Sequence, residues 1–251
     1  MSYITLRSAA LEWDTIQRAR LALNNMLRAF ERHERAVPPW LDDAENAPGG
    51  MLQLLERQEA AALRSVQRAI EGEDWLVNIG TFVESTIGLG PAIYCITGLL
   101  PPLSGFPNPA KLWHYLGLHV VDGHAPKRPT CGPICDKPDC PHDRWSFALK
   151  SYAISRVVPS IIKCRESPYR AVYDARKLHT QTTHPEWATA NPKAPKLHYE
   201  RDAQRYVAKR VWRDVWQSAH GHHAGVTQTE AADAPTLTSG NVIAIPSLRM
   251  A

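Results

Sequence analysis

Apolar residues recur at three- and four-residue steps along two long segments near the N-terminus of the chain. This spacing is typical of amphipathic helices and predicts one helix over residues 5–36 and another over residues 51–70. We expect the first helix to end before Pro38, because proline cannot continue the helical hydrogen-bond ladder. The two helices are predicted to pair as an antiparallel helical hairpin, residues 1–73, which a second copy of the chain could extend into a homodimer. The apolar positions of the two helices are Leu6, Ala9, Ala10, Trp13, Ile16, Leu23, Met26, Leu27 and Phe30, then Leu52, Leu55, Ala62, Leu63 and Val66.

Further along the chain the pattern predicts shorter helices and one short strand. Apolar periodicity indicates helices over residues 144–164 and 197–219. A third helix, 169–179, is expected to have Ser167 as its N-cap and Pro168 at its first position. Residues 118–125 alternate weakly between apolar and polar, which predicts a strand. The predicted fold class is therefore mainly α.

The segments between and after these elements are expected to be irregular. Residues 126–143 form a loop rich in proline, cysteine and aspartate, and residues 180–196 form one rich in threonine, proline and asparagine. From residue 221 to residue 251 the chain turns to glycine, threonine, alanine and serine, which predicts a disordered tail. The resulting domain prediction is a helical hairpin (1–73), a second domain (74–220) and this tail.

The segment Ile87–Pro91 has the pattern of a tight turn between two helices. Glycine takes positive φ angles without steric cost, and proline suits the first position of a new helix. We therefore predict a helix-hairpin-helix within residues 74–117, in which both Gly88 and Gly90 serve the turn and the following helix directs free N–H groups outward. Such N–H groups bind anions, and Gly88, Leu89 and Gly90 are candidate contacts to nucleic-acid phosphates. An ordinary turn between two helices is the alternative.

Charge is distributed unevenly along the chain. Residues 1–104 hold 9 Lys/Arg against 13 Asp/Glu, whereas residues 105–220 hold 19 against 10, a balance of +9. A localised basic region is the electrostatic footprint of a nucleic-acid-binding protein, although a solvated surface would also be basic. DNA is the expected partner, and RNA stays open. The candidate phosphate contacts in this region are Lys111, Arg144, Lys150, Arg205, Lys209 and Arg210.

Three cysteines and one histidine cluster within twelve residues of the loop 126–143. Thiolate and imidazole together suit tetrahedral zinc, and a loop with few apolar residues needs such a metal to fold. Four protein ligands would close the coordination shell, so we expect a structural zinc ion. The predicted ligands are Cys131, Cys135, Cys140 and His142, with His124 as an alternative fourth ligand.

Composition also indicates a compartment. The few cysteines argue for metal binding in a reducing cytoplasm rather than for a disulfide framework. The chain has no run of 18 apolar residues, so no membrane helix is expected, and its first residues lack the pattern of a signal peptide.

One longer stretch carries a family resemblance. The Gly-x-Gly-Pro turn is followed by Phe106-Pro-Asn-Pro-Ala-Lys-Leu-Trp-His-Tyr-Leu-Gly-Leu118. This order resembles the C-terminal domain of the Piv-type insertion-sequence transposases, the DEDD recombinases. The resemblance covers about residues 75–220 and continues in Ser167–Asp174, in His184–Trp187 and in the basic last helix. It implies a helix-hairpin-helix domain that contacts DNA, preceded in the family by a long helical pair.

The chain departs from this family at both catalytic parts. The family has an N-terminal RuvC-like domain with four acidic metal ligands, whereas this chain starts with helices. The family also has a nucleophilic serine after the Tyr-Leu-Gly-Leu motif, where this chain reads His119–Lys127. Ser146 is a weak candidate for a replacement. We therefore expect a transposase-related DNA-binding protein of a mobile element that is not catalytic alone.

Two other functions stay open at this point. The chain could be an active recombinase subunit that uses a serine or a RuvC-like partner in trans. It could also be a structural protein that dimerises or binds partners through its N-terminal helices.

Overall fold

A computed structural model describes residues 3–33, 36, 50–120, 125–126, 146–190 and 197–222, and every regular element in these ranges is helical. The predicted fold class, mainly α, is confirmed. The metal-ligand candidates 131–142, His124, Arg144 and the predicted tail beyond residue 222 lie outside the described residues. The helices are α1 (Tyr3–Arg32), α2 (Met51–Ile70), α3 (Asp74–Ser85), α4 (Ala92–Leu99), a 3-10 turn (Leu103–Gly105), α5 (Pro109–Tyr115), α6 (Phe147–Ser155), α7 (Val158–Lys163), α8 (Pro168–Thr183), α9 (Trp187–Ala190) and α10 (Leu197–Ala219).

The two long N-terminal helices, α1 and α2, pack against each other. Their side chains are linked where Gln17 donates to Glu59 at 3.0 Å and Arg20 pairs with the same carboxylate. The buried half of α1 is its N-terminal half, which also packs on α4, and the buried half of α2 is its C-terminal half. These halves join the same hydrophobic core as the helices that follow.

Helix α10 is the central element of the C-terminal half and contacts α3, α5 and α8. Its inner face consists of fully buried apolar side chains, with Trp212 the largest of them. Two indole N–H groups attach the segment that contains Phe106 and α5 to helix α10. Trp113 donates to the carbonyl of Lys209 at 2.9 Å, and Trp216 of α10 donates to the carbonyl of Phe106 at 2.8 Å. Together these bonds fix α5 on α10.

Helix α6 connects the C-terminal half to α1 through a buried carboxylate. Asp14 is 4% exposed and lies 2.9 Å from Arg156 Nη1 and 2.8 Å from Arg18 Nη2. The Tyr152 hydroxyl donates to the same carboxylate at 3.2 Å, and the Arg156 guanidinium lies 3.8 Å from the Tyr152 ring centroid. This network orients α6 with respect to α1.

The predicted strand over residues 118–125 is wrong for its described part, because residues 118–120 and residue 125 are irregular. Gly117 has a positive φ of 63°, and the Leu118 N–H bonds the carbonyl of Trp113 at 2.8 Å. This arrangement ends α5, and it buries Leu118 in the helical core.

Two other predicted boundaries are corrected. The single helix expected over residues 144–164 is two helices in its described part, α6 and α7, because Pro159 in the first turn of α7 cannot continue the ladder of α6. The loop expected over residues 180–196 begins with the last turn of α8 and contains the short helix α9. Helix α10 has the predicted bounds, 197–219.

In the part of the chain that the structure describes, no helix is both long enough and apolar enough to cross a membrane.

Candidate nucleic-acid interface

The turn between α3 and α4 presents its tip to solvent. Ile87 is 54% exposed, and Pro91 is exposed as well. Leu89 is half-buried and packs against the core, and its N–H bonds the carbonyl of Thr86 at 3.1 Å. The backbone reverses at Gly88, whose φ of 90° lies in the region that favours glycine.

Gly88 also lies unusually close to another part of the chain. A Cβ atom at this position would lie 2.7 Å from both Cβ and Oγ of Ser167, and 3.4 Å from Cβ of Cys164. Ser167 is buried and precedes α8, so the turn packs against the start of α8. Gly88 therefore requires glycine for its backbone angle and for space.

Gly90 differs from Gly88 on both counts. The expectation that it takes a positive φ angle is wrong, and a Cβ atom there would meet nothing within 4 Å. Its carbonyl accepts the N–H of Ile93 at 3.1 Å, at the start of α4. Among the described residues, no acceptor bonds the N–H of Gly90 or of Ala92. These two N–H groups lie at the start of α4 and are candidate contacts to an anion.

Three of the predicted phosphate contacts come together at a second location. Lys150 lies on α6, Arg205 and Lys209 lie one turn apart on α10, and Arg176 approaches them from α8. All four side chains are half-buried. We call these four residues the cation cluster. Sequence reasoning missed Arg176, because nothing local separates it from the other arginines of the basic region.

One carboxylate, Asp202, lies within the cation cluster, and it is engaged by α8. Its Oδ2 atom accepts from Arg176 Nε at 2.6 Å and from the Thr180 hydroxyl at 2.9 Å. Burial raises the pKa of Asp202, but these bonds from Arg176 and Thr180 outweigh it and hold the pKa below its ordinary value.

Each lysine of the cluster is held in position by a neighbouring group. Lys150 Nζ donates to the carbonyl of Pro126 at 2.9 Å. Lys209 Nζ lies 5.5 Å from the centroid of the Trp113 ring, whose indole bonds the Lys209 carbonyl. A cation over an aromatic face is held in place without being neutralised.

The pKa values show that the cluster cations repel one another. Burial lowers the pKa of Lys150 and of Lys209, and the charge of Arg205 lowers both further. Burial also lowers the pKa of Arg205, with Asp202 opposing this and Arg176 adding to it. A further negative charge at this location would relieve the repulsion.

The remaining predicted contacts have other surroundings. Lys111 is exposed on α5, where its N–H is capped by Asn108 Oδ1 at 3.1 Å. Arg210 donates to the Tyr206 hydroxyl at 2.8 Å and lies 5.3 Å from the centroid of that ring.

Ser146, the weak candidate nucleophile, is the N-cap of α6. Its Oγ atom accepts the N–H of Leu149 at 3.3 Å, and its own N–H bonds the carbonyl of Tyr115 at 3.1 Å. The two contacts give Ser146 a structural use at the start of the helix. Within the described ranges, no group of three or more His, Cys, Asp or Glu side chains is arranged to hold a metal ion.

Comparison of the chain with protein-family models, with curated proteins and with solved structures found no match. The resemblance to the transposase domain therefore stays a prediction.

Proposed function

We propose that this protein binds nucleic acid through its phosphate groups and acts as a transposase-related DNA-binding protein of a mobile element. The cation cluster supports the binding function most directly. Half-buried cations from three helices lie close together, and Asp202, the carboxylate that influences Arg205 and Lys209, is already bonded to Arg176 and Thr180. Closely held cations of this kind suit the phosphate backbone, which supplies most of the affinity of nucleic-acid-binding proteins.

The turn at Gly88 supports a second contact. Its tip is exposed, and the N–H groups of Gly90 and Ala92, which no described acceptor bonds, lie at the start of α4, where a helix N-terminus favours an anion. Helix α8 begins against this turn and carries Arg176 nine residues after Ser167. At 1.5 Å per residue, the turn and the cation cluster are about 13 Å apart along the axis of α8. One nucleic-acid segment could contact both.

The mobile-element context rests on the resemblance alone. The order of the Gly-x-Gly-Pro turn and the segment Phe106–Leu118 supports it, as does the attachment of that segment to the basic helix α10 by Trp113 and Trp216. We propose that residues 74–220 correspond to the DNA-contacting part of such a transposase. Cleavage of supercoiled DNA in Mg²⁺ that survives repurification, and that Ser146→Ala abolishes, would favour the recombinase alternative instead.

The decisive experiment is a binding titration of the full chain with duplex DNA, single-stranded DNA and RNA over a series of salt concentrations. Each neutralised phosphate adds about 0.9 to the slope of log affinity against log salt on duplex DNA. We expect a steep slope, and Lys209→Gln should reduce it by about one without changing sequence preference. Arg201→Gln is the matched control, because Arg201 is exposed on the same helix and lies outside the cation cluster. Affinity that is absent or independent of salt for all three nucleic acids would refute the proposal.

A structural role for the N-terminal helices is the second candidate. A groove of about 470 Å³ runs between α1 and α2 and is lined by Leu11, Ile16 and Ala61 among others. Four further large apolar side chains of this helix pair are 42–50% exposed, namely Leu21, Met26, Met51 and Leu54. Such a surface suits self-association as a homodimer through an antiparallel hairpin. Light scattering of the full chain over a range of concentrations would distinguish monomer from dimer.

A further inference from the structure

Arg205 is the member of the cation cluster whose charge is least satisfied. Among the residues that the structure describes, no acceptor forms a hydrogen bond or salt bridge with its guanidinium. Asp202 is close enough to influence its pKa, but the Oδ2 atom of that carboxylate is bonded to Arg176 and Thr180. Arg205 is nevertheless half-buried as a residue, and a charge that is partly removed from water gains from a partner.

Lys209 lies one helical turn from Arg205 and is fixed from the other side. The Trp113 indole bonds its carbonyl, and the face of the same ring holds its ammonium group. Lys150 borders the pair from α6, where its ammonium is oriented by the carbonyl of Pro126. The positions of the Lys209 and Lys150 ammonium groups are therefore set by the protein before anything binds.

We infer that the cation cluster is a discrete oxyanion site that holds a single phosphate group between Arg205 and Lys209, with Lys150 at its edge. This inference rests on the proposed function and makes it more specific, because a diffuse basic surface would bind phosphates without one saturable position. Arginine suits this role, since its planar fork of N–H donors matches two oxygens of one phosphate. Lysine adds a point charge beside it. The chemistry is the same for inorganic phosphate and for a phosphate of a nucleic acid.

The test is the melting temperature of the full chain in increasing inorganic phosphate, compared with chloride at the same ionic strength. An anion that binds one site of the folded state stabilises it by RT ln(1 + [L]/Kd), so the melting temperature rises with the logarithm of the anion concentration once this exceeds Kd. We expect such a rise with phosphate and not with chloride. Arg205→Gln should weaken the apparent phosphate affinity by about tenfold or more, because it removes a charge-assisted hydrogen bond. Arg201→Gln should leave the phosphate curve unchanged.

Folding of the variant can be judged in the same experiment. Arg205 repels the neighbouring cations and attracts Asp202, so the two effects oppose each other and the melting temperature of Arg205→Gln in chloride should stay close to that of the parent. Lys209→Gln is a second variant, and it should also weaken the effect of phosphate. An equal rise in chloride and phosphate, or an unchanged phosphate curve in both variants, would overturn the inference.

The same proteins, titrated with a short DNA oligonucleotide, separate this inference from the proposed function. Salt-dependent binding of the oligonucleotide, with no rise in melting temperature in phosphate beyond that in chloride, would refute the discrete site and leave the proposed function standing. A rise in melting temperature that is specific to phosphate and that Arg205→Gln removes, with no binding of the oligonucleotide, would support the oxyanion site and refute the nucleic-acid function. Competition between inorganic phosphate and the oligonucleotide, stronger than that of chloride, would support both.

Discussion

Gly98 of α4 lies directly against Ala10 of α1, so closely that a Cβ atom on Gly98 would lie 2.6 Å from the Cβ atom of Ala10. The same atom would lie 3.0 Å from the carbonyl oxygen of Leu6. All three residues are buried. The absence of a side chain at Gly98 therefore allows the N-terminal half of α1 to lie on α4.

We predict that Gly98→Ala destabilises the protein. The added methyl group must displace α1, and such overpacking costs about 1–3 kcal/mol, which exceeds the roughly 1 kcal/mol that alanine gains over glycine inside a helix. For a chain of this size, each kcal/mol lowers the melting temperature by about 2–4 °C. Gly105→Ala is the control, because a Cβ atom there meets nothing within 4 Å. Equal melting temperatures for the two variants would contradict the prediction.

Substitution by alanine should destabilise the protein at Gly88 and should have almost no effect at Gly90. Gly88→Ala combines a φ of 90° with contacts of 2.7 Å to Ser167, and a strained backbone of this kind costs about 1–3 kcal/mol. Gly90→Ala should change stability by less than about 0.5 kcal/mol, because its backbone angle and surroundings accept a side chain. Thermal melts of both variants check this. Because Gly90→Ala should fold normally, any loss of nucleic-acid affinity in it reports a contact with the turn.

The contrast between these glycines shows that local sequence signals predict helices but do not predict contacts between distant parts of the chain. Local signals predicted α10 and the start of α8 at Pro168, because apolar periodicity and proline act within a few residues. The sequence offered no means to tell Gly88 from Gly90, since the difference depends on Ser167, which is 79 residues further along the chain.

The cation cluster could be predicted from the sequence only in part. The basic region pointed to Lys150, Arg205 and Lys209, which the fold brings close together. Arg176 and Asp202 could not be predicted, because their pairing depends on how α8 packs on α10. The strand predicted at residues 118–125 failed for a related reason. Its alternation was too short to outweigh the helix end at Gly117 and the burial of Leu118.

The carboxylate that links α1 to α6 should be important for stability. Asp14→Asn leaves Arg156 in a half-buried environment without its anionic partner, and breaking a buried ion pair costs about 3–5 kcal/mol. Asp174→Asn is the matched control, because Asp174 pairs with Arg170 at the surface, where such pairs contribute about 0–1 kcal/mol. Denaturant unfolding of both variants measures the difference. A similar loss of stability in the two would show that the Asp14 network is not stabilising.

The cluster lysines should make stability and nucleic-acid affinity respond to pH in opposite directions. The pKa values of Lys150 and Lys209 are lowered below the ordinary 10.5 by burial and by Arg205. The folded state therefore holds these protons more weakly than the unfolded state. Their contribution destabilises the protein at neutral pH, and this cost is relieved as pH rises from the lowered pKa toward 10.5. Over the same window the loss of charge should weaken binding to phosphates.

Titrations of DNA binding and thermal melts across this window test the prediction. The double variant Lys150→Gln, Lys209→Gln should lose most of the pH dependence of both properties between neutral pH and the ordinary lysine pKa. Affinity of the parent that stays constant up to pH 10.5 would show that neither lysine loses its charge early.

The last prediction concerns the cysteine-rich segment between Pro126 and Ser146. The structure attaches both of these residues to the helical body, since the carbonyl of Pro126 accepts from Lys150 and the N–H of Ser146 bonds Tyr115. Lys150 follows Ser146 by one turn of α6, so Pro126 and Ser146 are both tied to the N-terminal part of the same helix or to α5 beside it. We expect the Cys131, Cys135, Cys140 and His142 ligands to close this segment around about one zinc ion per chain. Elemental analysis of protein purified under reducing conditions without added metal should show it. Cys135→Ser should lose the metal, whereas Cys164→Ser, outside the cluster, should keep it.

Because the described core is built from the helices, removal of zinc should increase proteolysis within residues 127–145 while the main thermal transition persists. A zinc content near zero in freshly prepared, reduced protein would refute the metal site, and equal loss of zinc in both serine variants would refute this set of ligands.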